Sequence, residues 1–276
     1  MHKSVLITGA STGIGYYTAH ELKKAGYQVI ASCRSLSDVT RLQREGLESV
    51  QIDLASPESI QQGFAQVMEI TGNRLYALFN NGAYGQPGAV EDLPIKALRQ
   101  QFDTNFFGWC ELTNLALPIM LSQGEGRIIQ NSSVLGIAAM RLRGAYNASK
   151  YALEGISDTL RLELAGTGVY VSLIEPGPIE SQFRKNALVA LLANIDINNS
   201  RHQLRYRSAI ERLEKTGTTT PFTLGPEAVY QRVLHALKSK RPRARYYVTF
   251  PTHLVGFMKR ILSTSLFDKL LGKLGN

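Results

Sequence analysis

Tyr146 and Lys150 stand four residues apart in Tyr146-Asn147-Ala148-Ser149-Lys150. On a helix, positions i and i+4 share one face. A free phenol titrates near 10 and is a poor base at neutral pH. A neighbouring ammonium favours the phenolate, so the pair is expected to lower the tyrosine pKa and to give or take a proton. The spacing alone also describes a tyrosine at a core edge beside a solvated lysine. Ser133 closes the run Asn131-Ser132-Ser133 just upstream, and a hydroxyl there can hold a substrate oxygen. Asn105 falls inside a helical stretch, where asparagine is disfavoured. Asn80-Asn81-Gly82 and Pro176-Gly177 end two further apolar runs.

A second group of residues suits a phosphate. Thr8-Gly9-Ala10-Ser11-Thr12-Gly13-Ile14-Gly15 lies between an apolar run and a helical one. Glycines at 9, 13 and 15 let the backbone approach a pyrophosphate, and the helix N-terminus offers free N–H groups. Ser11 and Thr12 can add hydroxyl donors. The next apolar run ends Ala31-Ser32-Cys33-Arg34, with no acid before Asp38. A carboxylate at that strand end would accept from the ribose 2′-OH of NAD; an arginine instead pairs with the 2′-phosphate of NADP.

The elements that must position these groups alternate along the chain. Strands are expected at Ser4–Thr8, Gln28–Ser32, Val50–Ile52, Leu75–Asn80, Gly126–Gln130 and Val169–Ile174. Helices are expected at Gly13–Ala25, Pro57–Ile70 with Ser56 as N-cap, Pro94–Trp109 and Ala145–Leu164. Such alternation implies an α/β fold of the Rossmann type, a doubly wound parallel sheet in a single domain. Periodicity is broken over Ser181–Pro221, which reads as a substrate loop without a clear element. Another helix opens at Gly225-Pro226-Glu227, and Tyr246–Phe250 reads as a last strand. Residues 1–250 form the dinucleotide-binding and catalytic domain; 251–276 form a basic, amphipathic helical extension.

Length and composition bound the rest. A chain of 276 residues, 44% hydrophobic and 19% charged, falls in the ordinary globular range. Cys33 and Cys110 stand apart with no CxxC, and the five histidines show no ligand spacing, so no metal is expected. The two cysteines read as reduced, and no signal peptide or 18-residue apolar run is present, so a cytoplasmic location is expected. Residues 240–276 hold eight Lys/Arg against one acid, Asp268, and so carry +7 of the net +9. An excess this local argues against a nucleic-acid surface.

The set TGASTGIG (8–15), NNG (80–82), Asn105, Ser133, YNASK (146–150) and PGPI (176–179), all in order, resembles the short-chain dehydrogenase/reductase family. The flanking text is similar to its 17β-hydroxysteroid and retinol dehydrogenase branch and to bacterial NADP-dependent aldehyde reductases. The resemblance implies Tyr146 as proton donor, Lys150 on the nicotinamide ribose, Ser133 on the substrate oxygen and Asn105 in a water relay to Lys150. It implies NADP contacts from Gly9, Ser11, Thr12, Gly13, Ile14, Gly15, Arg34, Asp53, Leu54, Asn80, Asn81, Gly82, Tyr146, Lys150, Pro176, Gly177, Ile179 and Ser181, with Asp53 at the adenine and Ser181 near the carboxamide. One departure is visible: the family usually reads Asn-Asn-Ala-Gly, whereas this chain has Asn80-Asn81-Gly82-Ala83.

The expected substrate is a small lipophilic aldehyde, ketone or alcohol. Leu135, Met140 and Phe183 join Ser133 and Tyr146 in its pocket; ordinary packing is the competing account of these apolar residues. Rival functions are a 3-oxoacyl-carrier reductase and a non-enzymatic NADPH-sensing protein, the second disfavoured by Asn105, Ser133, Tyr146 and Lys150 standing together. The resemblance implies a homodimer or homotetramer. In the tail, Leu254, Met258, Ile261 and Leu262 repeat at helical spacing, as do Phe267, Leu270, Leu271 and Leu274, with Lys259, Arg260, Lys269 and Lys273 between. Such a stretch can pack on the domain, the favoured reading, or make weak contact with an anionic membrane surface.

Overall fold

The computed structural model describes residues 3–215, 217 and 221–274; the side chains of Lys273 and Leu274, counted in the expected tail stripe, lie outside it. Seven parallel strands form one sheet: β1 (Ser4–Ile7), β2 (Gln28–Cys33), β3 (Glu48–Gln51), β4 (Ala77–Asn80), β5 (Gly126–Asn131), β6 (Val169–Glu175) and β7 (Arg245–Tyr247), in the order β3-β2-β1-β4-β5-β6-β7. Leu6 pairs with Ile30 on one side and Leu78 on the other. Both faces are covered, so β1 is apolar at every position from Val5 to Ile7. Successive side chains alternate between two cores. Val5 and Ile7 pack with α1 (Gly13–Lys24) and α9 (Glu227–Lys238); Leu6 packs with α3 (Pro57–Thr71) and α5 (Gly108–Gln123).

The chain leaves β1 toward β2 and β3, then returns to place β4 on the other side of β1. A crevice opens at such a reversal, beyond the carboxyl ends of the strands, and open α/β sheets bind ligands there. The glycine turn and the Asn80-Asn81-Gly82 segment flank it, following β1 and β4 directly.

Several elements differ from the sequence reading. α2 (Leu36–Arg44) follows β2, with the Ser35 hydroxyl accepting from Ser37 N. The expected helix from Pro94 is three pieces: α4 (Ile95–Phe102), a π-helical turn over Asp103–Phe107, and α5. The stretch expected to lack an element contains α7 (Phe183–Asn194) and α8 (Gln203–Glu214). They build a small core of their own, with Leu191, Tyr206 and Leu213 buried against Ala89 and Ile195. The expected strand Tyr246–Phe250 is corrected to Arg245–Tyr247, because Pro251 starts a new helix, α10 (Phe250–Ile261). α11 (Thr264–Leu274) follows after Ser263. Val255, Phe267 and Leu271 from these two helices bury against Ile137 and Ala138, so the extension packs on the loop after β5.

Candidate active site

The turn after β1 is closed by glycines that no other residue could replace without strain. Gly9 and Gly13 have φ of +64° and +58°, a region costly for side chains bearing a Cβ. A Cβ on Gly9 would lie 2.4 Å from Gly82 Cα, and one on Gly15 would lie 2.4 Å from Gly9 O. Thr12 precedes α1 without a side-chain cap, and the first turn holds no acid. The leading N–H groups and the positive helix end therefore remain for an anion. These features fit a pyrophosphate.

A chain of amides connects this turn to the lysine. The Asn81 amide donates to Thr8 O at 3.0 Å and Gly9 O at 3.2 Å, while Thr8 Oγ1 accepts from Asn81 N and Gly82 N. Asn131 Nδ2 donates to Asn81 Oδ1 at 2.8 Å, and Lys150 Nζ donates to Asn131 O at 2.7 Å. Asn131 thus joins the cofactor side to the proton-transfer side, a role that its type and position in the sequence did not announce. Asn80 is different: its amide is wholly buried and donates to Thr113 Oγ1 and Gln130 Oε1 inside the fold.

Arg34 is exposed at the end of β2, and no hydrogen bond or ion pair engages its guanidinium among the described residues. Its carbonyl accepts from Gln51 Nε2. Arg41 brings a further cation to the turn, donating to Ser11 O at 2.7 Å while paired with Asp38 and Glu45. Asp53 Oδ1 accepts from Ala55 N at 3.0 Å, and Leu54 lies against Gly82. Beyond β6, Pro176 O accepts from Val134 N, Gly177 abuts Thr249, and Ile179 bridges to Leu224. Ser181 stands over the glycine turn, its Cβ 3.1 Å from where a Cβ of Gly13 would be.

α6 (Gly144–Glu163) carries the two residues expected to transfer the proton. Tyr146 and Lys150 are both buried on it, with Lys150 Nζ 5.7 Å from the Tyr146 ring centre and 4.2 Å from that of Trp109. Burial pushes the Tyr146 phenol up to about 12, against the pull of the Ser133 hydroxyl and the Arg143 guanidinium. The expected lowering by Lys150 is therefore corrected. Removal from water outweighs it here, because Lys150 is itself desolvated, down to about 7, and bonds Asn131. Ser133 Oγ accepts from Leu135 N at 3.1 Å. Asn105 lies in the π-helical turn, wholly buried, bonding both Tyr84 N and Tyr84 O. Single π turns recur at functional sites.

The apolar side is built by α7 and the loop after β5. Phe183 meets the Tyr146 ring edge-on at 5.3 Å and fills the space left by Gly85, where a Cβ would lie 2.7 Å from the ring. The Asn147 amide donates to Leu135 O and Ala138 O, both at 2.8 Å, and accepts from Met140 N. Asn147 thereby holds the loop bearing Leu135 and Met140. Arg143, three residues before Tyr146, is depressed to about 10 by burial and by Arg212.

The same face of α6 continues as Glu154 and Asp158, one helical turn apart. Arg245 of β7 contacts Glu154 at 3.0 Å, Asp158 at 2.7 Å and the wholly buried Glu175 at 3.1 Å. Burial and the charge of Glu154 push Glu175 up to about 8, so it keeps its proton at neutral pH. Burial raises Glu154 as well, opposed by the Ser132 hydroxyl and by Arg245. We take Glu154 as the ionised partner, and its charge raises the pKa of Lys150 against desolvation. Glu154→Gln removes that support. The lysine then loses its proton at lower pH, and the alkaline limb of the pH–rate profile is expected to move to lower pH. An unmoved limb in steady-state assays across neutral pH would show that Glu154 does not act through Lys150.

A crevice beyond the strand ends, with a glycine turn on one side and a buried tyrosine on the other, is where an α/β fold of this class holds a dinucleotide. The family model described as short chain dehydrogenase matches residues 3–190, from β1 through most of α7. The chain is a member of the short-chain dehydrogenase/reductase family. It is 45% identical over 271 residues to the uncharacterized oxidoreductase YbbO of Escherichia coli (98% of this chain, 94% of the relative). It is 31% identical over 254 residues to retinol dehydrogenase 8 of Homo sapiens, covering 88% and 80%. Its fold matches a Burkholderia phymatum short chain dehydrogenase/reductase solved in complex with NAD, with a TM-score of 0.78, 25% identity, and 94% and 92% coverage.

Proposed function

We propose that the protein is an NADP(H)-dependent reductase of lipophilic aldehydes and ketones, with Tyr146 as proton donor. The observation that carries this reading is the buried phenol of Tyr146, with the Ser133 hydroxyl beside it, Phe183 across it and Lys150 one helical turn on. Gly9, Ser11, Thr12, Gly13, Ile14 and Gly15 would hold the pyrophosphate. Arg34 would hold the 2′-phosphate, Asp53 and Leu54 the adenine side, and Lys150 the nicotinamide ribose. When bound, the cofactor supplies the hydride.

The Ser133 hydroxyl orients the carbonyl oxygen, and the Tyr146 hydroxyl donates its proton to that oxygen. In its protonated form Lys150, tied to Asn131, places positive charge near the phenol and so favours the phenolate that remains. Burial favours the neutral phenol, the form that donates a proton to the carbonyl oxygen. Phe183, Leu135 and Met140 exclude water and accept apolar substituents. Retinol dehydrogenase 8, whose name gives a lipophilic alcohol, supports that substrate class. NADPH oxidation with a panel of medium-chain aldehydes, ketosteroids and retinal, repeated with NADH, tests both halves; turnover of hydrophilic carbonyls alone would reject the substrate class.

We also propose a homodimer or homotetramer formed through α5 and α6. Leu121, Ile156 and Leu162 are exposed apolar residues on these helices. Light scattering at micromolar concentration is expected to give two or four chain masses, and a single-chain mass would reject the assembly.

A further inference from the structure

α10 is apolar on two opposite sides. One side buries Val255 against the loop after β5 and Gly256 against the Tyr247 ring, with Met258 and Leu262 partly covered there. The other carries Phe250, Leu254, Phe257 and Ile261, at i, i+4, i+7 and i+11, each between 43% and 62% exposed. At 100° per residue these four fall within one narrow stripe. Phe222, also exposed, extends the stripe by contact with Phe250 at 5.2 Å between ring centres. A row of large apolar side chains in water is unlike scattered single exposures and marks an interaction surface.

Beside the stripe lies a groove of about 640 Å³ between α9, β7 and α10. His253 and Arg260 of α10 form one wall; Arg232, Lys238 and Arg243 come from α9 and the segment before β7, and no acid lines it. Arg245, also in the lining, is already matched by the carboxylates of Glu154 and Asp158. The guanidinium groups of Arg232, Arg243 and Arg260 have no carboxylate partner among the described residues.

We propose that this face docks the enzyme on an anionic phospholipid bilayer, with the α10 stripe among the acyl chains and the groove against the phosphates. Apolar side chains flanked by cations are the pattern of an interfacial helix. Charge complementarity selects this occupant over a second copy of the chain, which would bring the same cations to the same face. The opposite side of α10 packs on Ile137 and Ala138, four and five residues beyond Ser133, so docking would bring the bilayer close to the substrate pocket. The docking does not depend on the proposed substrate, since it is measured without substrate or cofactor.

Sedimentation of the full chain with phosphatidylcholine vesicles, with and without phosphatidylglycerol, tests it. The unaltered protein is expected to bind the phosphatidylglycerol vesicles at low salt and to release at high salt. Phe257→Ser with Ile261→Ser is expected to abolish binding. Arg243→Gln with Arg260→Gln is expected to weaken it about thirtyfold, at roughly 1 kcal/mol for each cation near the surface and about 1.4 kcal/mol per tenfold. All four side chains lie outside the catalytic cluster, so Tm and reduction of a water-soluble aldehyde should stay unchanged and report intact folding. Absence of binding to anionic vesicles at low salt overturns the proposal. So does equal binding by the Phe257/Ile261 variant, or a self-association that this variant abolishes while vesicles are ignored.

Discussion

Tyr146→Phe is expected to reduce turnover by roughly 10²–10⁴, the range for removing a positioned proton-transfer group, while leaving cofactor affinity nearly unchanged. The substitution deletes one oxygen. The ring that meets Phe183 edge-on remains, as do the bond from Lys150 to Asn131 and the asparagine chain to the glycine turn. A buried hydroxyl replaced by hydrogen should disturb stability little, because Ser133 Oγ still accepts from Leu135 N. Single-turnover rates should fall together with kcat, and cofactor titration by fluorescence should give an unaltered Kd. Retention of near-full activity would remove Tyr146 from the reaction, and a parallel loss of cofactor binding would show that it holds the cofactor instead.

Arg34→Ala is expected to raise the KM for NADPH by about tenfold to a hundredfold, the equivalent of one charge-assisted hydrogen bond of roughly 1.5–3 kcal/mol. Solvent exposure of the side chain places the effect toward the lower end. The KM for NADH should stay the same, since NAD has no 2′-phosphate for the guanidinium to meet. Arg41 is poorly placed to compensate, being committed to Ser11 O, Asp38 and Glu45. Equal loss with both cofactors would point to a general effect on the turn, and equal use of both by the unaltered protein would reject the NADP preference outright.

Much of this site was legible in the sequence because its parts obey local rules. Glycines at 9, 13 and 15 are demanded by backbone conformation and close approach, so they appear as residue types. Tyr146 and Lys150 share a face through helical spacing alone. The alternation of Val5, Leu6 and Ile7 between two cores follows from strand geometry. What remained hidden depends on distant partners. α7 and α8 show weak periodicity because they bury few residues in a small core of their own. The last strand is shorter than its pattern suggests because β-favouring residues run from Tyr246 through Phe250, whereas the helix containing Pro251 already begins at Phe250. Asn131, Asn147 and Glu154 gain their roles only once the crevice has folded. The direction of the Tyr146 shift was misjudged because spacing reveals a neighbouring charge but not the depth at which both groups lie.

The absence of a side chain at Gly82 governs the packing behind the nucleotide turn. A methyl group on residue 82 would meet Leu54 Cδ1 at 2.9 Å and Gly9 N at 3.1 Å. The first neighbour is the tip of a flexible side chain; the second is backbone of the phosphate turn. Leu54 thus occupies space that an alanine at 82 would claim. Gly82→Ala therefore asks the Leu54 side chain to turn aside and the phosphate turn to yield by a few tenths of an ångström at Gly9 N, so residue 54 sets how closely the segment after β4 can approach the nucleotide turn.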